Sequence, residues 1–137
     1  MPGPLSPHDA LIYIMVTMSA VDREMTDKEM FRIGQMVQYL PAFRDFDVEQ
    51  LVHTAEACGN VLSHEDGLDK ILNEVSKNLP GKLHETAYAL AVEVAAADLN
   101  IKPEELRFLQ LLRDALDLEP LICSAIERGA RARHHTI

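Results

Sequence analysis

Two short stretches of this chain gather oxygen-bearing side chains at matching spacing. The first runs Ala20-Val21-Asp22-Arg23-Glu24-Met25-Thr26-Asp27-Lys28-Glu29, the second Ala96-Ala97-Asp98-Leu99-Asn100-Ile101-Lys102-Pro103-Glu104-Glu105. Both fit Ala-x-Asp-x-(Glu/Asn)-(apolar)-(Thr/Lys)-x-x-Glu, and they lie 76 residues apart. Asp22, Glu24 and Glu29, and equally Asp98, Asn100 and Glu105, are the candidate metal ligands. Carboxylate and amide oxygens are hard donors, suited to Ca²⁺, Mg²⁺ or Mn²⁺ rather than to a thiophilic metal. The arrangement is not an EF-hand. Counted from Asp22, the position that needs a bidentate Glu is Ile33, and counted from Asp98 it is Leu109. The same acids also fit a structural role. Thr26 and Glu29 have capping-box spacing, and Glu105 falls in a first helical turn, where the helix dipole favours negative charge. Asp22 and Asp98 are also suited to hydrogen-bonding within their turns.

No other stretch carries recognisable chemistry. His64-Glu65 and His84-Glu85 do not continue to a second His, so there is no zinc-protease helix motif. Glu-x-x-His, the ligand pair of carboxylate-bridged di-iron bundles, is absent. There is no Gly-rich phosphate loop and no Gly-x-Ser-x-Gly elbow. Cys58 and Cys123 stand far apart, without catalytic signature or Cys-x-x-Cys spacing, as expected in a reducing compartment. Catalytic residues are therefore expected to be none, and the chain is expected not to be an enzyme.

The elements that position the two turns read as helices almost throughout. Pro7 to Val21 is apolar nearly all round, as in a central helix. Asp27 to about Leu40 carries Met30, Ile33, Met36, Val37 and Leu40 on one stripe and ends at Pro41. A third helix follows Asp45 or Asp47 and runs to about Leu62, with Val48, Leu51, Val52, Ala55 and Cys58 inward and Gly59 as a place to kink or stop. Ser63 with Asp66 caps a fourth helix reaching Asn78. Leu79-Pro80-Gly81 is the strongest break. The fifth helix, Lys82 to Ala97, is again nearly all apolar, with Glu93 as the one charge in its core. The sixth opens at Pro103 and reaches Leu116, its stripe including Leu106, Leu109, Leu112 and Leu116. A last helix starts near Pro120 and fades at Gly129, leaving 130–137 as a loose tail.

The repeat extends beyond the turns. At the same offset Val16 meets Val92, Ala20 meets Ala96, Ile33 meets Leu109 and Leu40 meets Leu116. The fold expected is all-α: about seven helices in one compact, bundle-like domain spanning 1–137. It contains two pseudo-symmetric helix-turn-helix units, 10–40 and 86–116. The helices at Leu11 to Val21 and Ala87 to Ala97 should be the most buried.

Composition narrows the partners. Of 137 residues, 47% are hydrophobic, enough for one real core. Lys plus Arg number 13 against 22 Asp plus Glu, a formal net charge of -9. Nucleic-acid affinity rests on Lys and Arg meeting phosphates, so DNA and RNA are not expected partners, and an anionic membrane surface is disfavoured likewise. The first Lys or Arg is Arg23, too late for a secretory signal. The apolar run Ala10 to Val21 is too short to span a bilayer. The expected setting is cytoplasmic, without a membrane span.

A long apolar helix ending in an acidic turn, present twice, resembles the tellurite-resistance TerB family and its TerB-like relatives over roughly Ala10 to Leu116. The resemblance implies an all-helical bacterial protein of stress or tellurite-resistance systems, with metal binding proposed for its acidic residues. Those positions fall here on Asp22, Glu24, Glu29, Asp98, Asn100 and Glu105. The family usually has Gly directly after the Asp, where this chain has Arg23 and Leu99; larger residues resist the left-handed turn that Gly allows. The reading is a non-enzymatic binding module that takes a divalent cation and works through a protein partner. The alternative is a helical interaction or scaffold domain, a homodimer among its forms, whose acids are only caps.

Overall fold

The computed structural model describes residues 4–21, 25–97 and 101–137. Those residues form seven α-helices and no strand: α1 (Pro7–Ala20), α2 (Asp27–Tyr39), α3 (Leu51–Leu62), α4 (Gly67–Asn78), α5 (His84–Ala96), α6 (Pro103–Leu116) and α7 (Pro120–Arg133). Short 3₁₀ turns at Pro41–Phe43, Val48–Gln50 and Gly81–Leu83 join them. No helix among the described residues is long and apolar enough to cross a membrane.

The two most apolar helices form the centre. In α1 every residue from Ala10 to Ser19 is buried, and in α5 the buried set is Ala87, Tyr88, Leu90, Ala91, Val92, Val94 and Ala95. A helix without a polar face is stable only when surrounded. Accordingly α1 packs on α3, α4 and α5, and α5 packs on α1, α6 and α7. Helix boundaries follow the sequence repeat: α1 ends at Ala20 and α5 at Ala96, while α2 begins at Asp27 and α6 at Pro103, both pairs 76 apart. The two amphipathic members stop differently. Pro41 follows α2, whereas α6 ends on Asp117 in the left-handed region, φ 52°, its N–H reaching back to the last turn.

Several positions differ from the sequence reading, each for a local reason. Helix α3 begins at Leu51, so its inward stripe is Leu51, Thr54, Ala55 and Cys58. Val48 and Val52 lie off that stripe and are exposed. Gly59 does not end α3, which continues to Leu62. The Ser63 hydroxyl donates back to the Asn60 carbonyl rather than capping α4, and Asp66 makes no side-chain cap but pairs with Lys70 at 3.6 Å. In α6 the buried stripe is Glu105, Phe108, Leu109, Leu112 and Leu116, which leaves Leu106 56% exposed. Helix α7 does not fade at Gly129 but runs to Arg133, with Ala130 buried against the core.

Candidate functional site

Asp22 and Glu24 of the first acidic turn, and Asp98 and Asn100 of the second, lie outside the described residues. Their companions Glu29 and Glu105 are placed. Each sits three residues beyond its N-cap, on the first turn of α2 and α6 respectively. Glu29 completes a capping box. Its Oε1 accepts from the Thr26 backbone N–H and hydroxyl, both at 3.0 Å, while Thr26 Oγ1 accepts from the Glu29 N–H at 3.2 Å. Two donors with no intrahelical partner are satisfied this way. Glu105 does half of the same work, its Oε1 accepting from the Lys102 N–H at 3.0 Å. The two differ in environment. Glu29 is half-buried at the surface, whereas Glu105 is 7% exposed, a depth at which carboxylates are rarely found without partners. Among the described residues no three His, Cys, Asp or Glu side chains come together as a metal site.

Two further polar clusters join α5 to α7. Glu93 faces the end of α7, where Arg133 Nε donates to its Oε1 at 3.2 Å, Arg133 Nη2 binds the same oxygen, and His134 Nε2 meets Oε2. Partial burial alone would push the Glu93 carboxyl up, but the hydrogen bonds and charges of Arg133 and His134 outweigh it and hold the group below its ordinary value. One turn earlier the Tyr88 hydroxyl donates to Glu127, which lies 3.9 Å from Arg113. Burial, and then the bond to Glu127, raise the Tyr88 phenol well above its usual range. The sequence marked Glu93 as an unusual charge; its partners were out of sight because they come from a helix 40 residues away.

The Glu93 cluster has a pH signature. A carboxyl depressed on folding contributes stability that is fully present above its unfolded value, near 4.5, and is lost as pH falls through the lower folded value. The stability difference between wild type and Glu93→Gln should shrink as pH falls below about 4.5 and through the lower folded value. Urea melts across pH 3 to 7 (roughly the range that brackets an ordinary carboxyl) would show it. A difference that instead grows as pH falls below about 4.5 would refute the assignment.

The thiols are structural. Cys58 is fully buried, its Sγ 3.6 Å from Thr17 Oγ1 and 3.7 Å from the Tyr13 carbonyl. Burial pushes its pKa up to about 12, only partly opposed by the Thr17 contact. Burial also raises Cys123. Both are buried, and a buried thiol is a poor source of thiolate.

The architecture is thus two buried helices, each followed in the chain by an acidic segment and then by an amphipathic helix with Glu at its third position. The family model for tellurite resistance protein TerB matches residues 8–128. The chain belongs to the TerB family. The match takes in both acidic turns, all of α2 to α6 and most of α7. Comparison with curated proteins and with solved structures found no match.

Proposed function

We propose that this TerB module, linked by its family to tellurite resistance, binds a hard divalent cation through its acidic turns and has no catalytic activity of its own. The setting is cytoplasmic and the output is a contact with a protein partner in a stress response. The observation that carries the reading is Glu105: a carboxylate 7% exposed at the start of α6, five residues beyond Asn100 and seven beyond Asp98. Glu105 accepts from the Lys102 N–H, and a cation shared with its acidic neighbours in the sequence would relieve the mutual repulsion of the carboxylates.

A thermal melt with and without Ca²⁺, Mg²⁺, Mn²⁺ and Zn²⁺ tests it. A ligand bound only by the folded state adds RT ln(1 + [L]/Kd), about 2.7 kcal/mol at a hundredfold excess over Kd. That gain should appear with one of the hard cations and vanish in an Asp22→Ala, Asp98→Ala double variant. If all four metals at millimolar concentration leave the wild-type melt unmoved, the cation reading falls.

One observation favours the second reading, an interaction or scaffold module whose acids only cap. The Glu29 box is complete and reciprocal within the protein, so that acid already has a structural task. On the same helix Phe31 and Tyr39 are largely exposed, an apolar surface suited to a protein contact, a second copy of the chain included. This reading predicts stability loss in the double variant with no metal response in either protein.

A further inference from the structure

Helices α5, α6 and α7 enclose a cleft of about 450 Å³, within the ~300–1,000 Å³ range of small-molecule sites. Its floor is made of buried residues, Tyr88, Val92, Ala95, Leu109 and Ala130. Its lip includes two apolar side chains left in solvent, Ile101 at 44% and Leu106 at 56% exposed. Leu106 is the residue that the rotation of the α6 stripe leaves outside the core, and Ile101 lies just before the helix. The rest of the rim carries two guanidinium groups, Arg113 and Arg131, and two imidazoles, His134 and His135, against a single lining acid, Glu127. In a chain of net charge -9 such a concentration runs against the general surface.

The charges on that rim are unequally engaged. Glu127 is taken by the Tyr88 hydroxyl and faces Arg113, and His134 is held by Glu93. Arg131 has no acidic partner among the described residues, and it is exposed at the opening. An apolar trough with a free guanidinium at its edge matches a molecule that is greasy along its length and negative at one end. A partner helix fits less well. A cylinder about 10 Å across would fill the volume in roughly one turn.

We propose that this cleft binds free single-chain amphiphiles with an anionic head, the chain lying over Val92 and Leu109 and the head beside Arg131. This goes beyond the cation reading and does not depend on it. The test uses three ten-carbon probes below their micelle concentrations: decanoate, decanol and decyltrimethylammonium. Calorimetry gives affinity, and backbone amide shifts give location. Decanoate should bind at least tenfold more tightly than either of the others and should shift the amides of Val92, Leu109 and Ala130. Arg131→Glu should weaken decanoate at least fivefold, and Leu106→Glu at least tenfold. Both positions are exposed, so their melts should stay at the wild-type value. The proposal is overturned by equal affinity for the three probes, by shifts elsewhere, or by no decanoate binding at 1 mM (an affinity weaker than about 4 kcal/mol). It is equally overturned by association with phosphatidylglycerol vesicles without response to free decanoate.

Discussion

Replacing Gly67 by Ala should cost about 3 kcal/mol or more, the upper end of what a single added methyl does in a packed interior. Gly67 is the first residue of α4, and it is buried where the chain turns back from α3. A Cβ built there would lie 2.0 Å from the Val61 carbonyl oxygen, 2.8 Å from its carbon and 2.9 Å from Leu62 Cα. All three are backbone atoms, so no rotamer change relieves the overlap. The corner itself must open, and both α3 and α4 pack on α1. Gly59→Ala is the matched control: its Cβ would meet nothing within 4 Å, and a helix-interior Ala is favoured over Gly by roughly 0.5–1 kcal/mol. Urea midpoints should therefore move in opposite directions for the two variants. A Gly67→Ala protein as stable as wild type would mean that the corner is looser than its geometry.

Leu11→Ala should cost a similar amount, about 3 kcal/mol within the ~2–5 kcal/mol span of buried Leu truncations. Leu11 has no exposed surface and sits in a helix buried from Ala10 to Ser19. With α3, α4 and α5 all held against α1, little can collapse into the space left. Leu106→Ala, the same chemistry at a 56% exposed position, should stay within about 0.5 kcal/mol of wild type. Chemical denaturation of the pair separates packing from hydrophobicity. Equal losses at the two sites would contradict the central place of α1.

Those two sites also mark how far the sequence could be read. Seven helices, and α1 and α5 as the centre, were legible because an unbroken apolar run such as Leu11 to Val16 has only one stable environment. The starts of α2 and α6 were legible because capping chemistry is local: Thr26 and Glu29 are three residues apart and bond each other. What failed was rotation and reach. Val52 and Leu106 are apolar and near a stripe, and an error of one residue, about 100° on a helix, moves a side chain from core to solvent. Gly67 gave no local sign of its task, because the atoms that exclude a Cβ belong to the end of another helix. Glu93 with Arg133, and Tyr88 with Glu127, join residues about 40 apart, and no periodicity encodes such pairs. In the candidate site itself, Glu29 and Glu105 were found where the repeat put them. The cleft over α5 was invisible because it arises from three helices meeting.

The depth of the two thiols turns them into reporters. With its pKa pushed up to about 12, Cys58 presents almost no thiolate to an alkylating reagent while α3 stays on α1. Cys123 is equally enclosed where α7 lies on α5. Labelling at either must wait for the chain to open, so its rate measures the free energy of that opening. One cysteine rides in α3 and the other in α7, outside both repeat units. Whether the two are modified at one rate or at two would show if α3 and α7 come away as a single cooperative unit or in sequence.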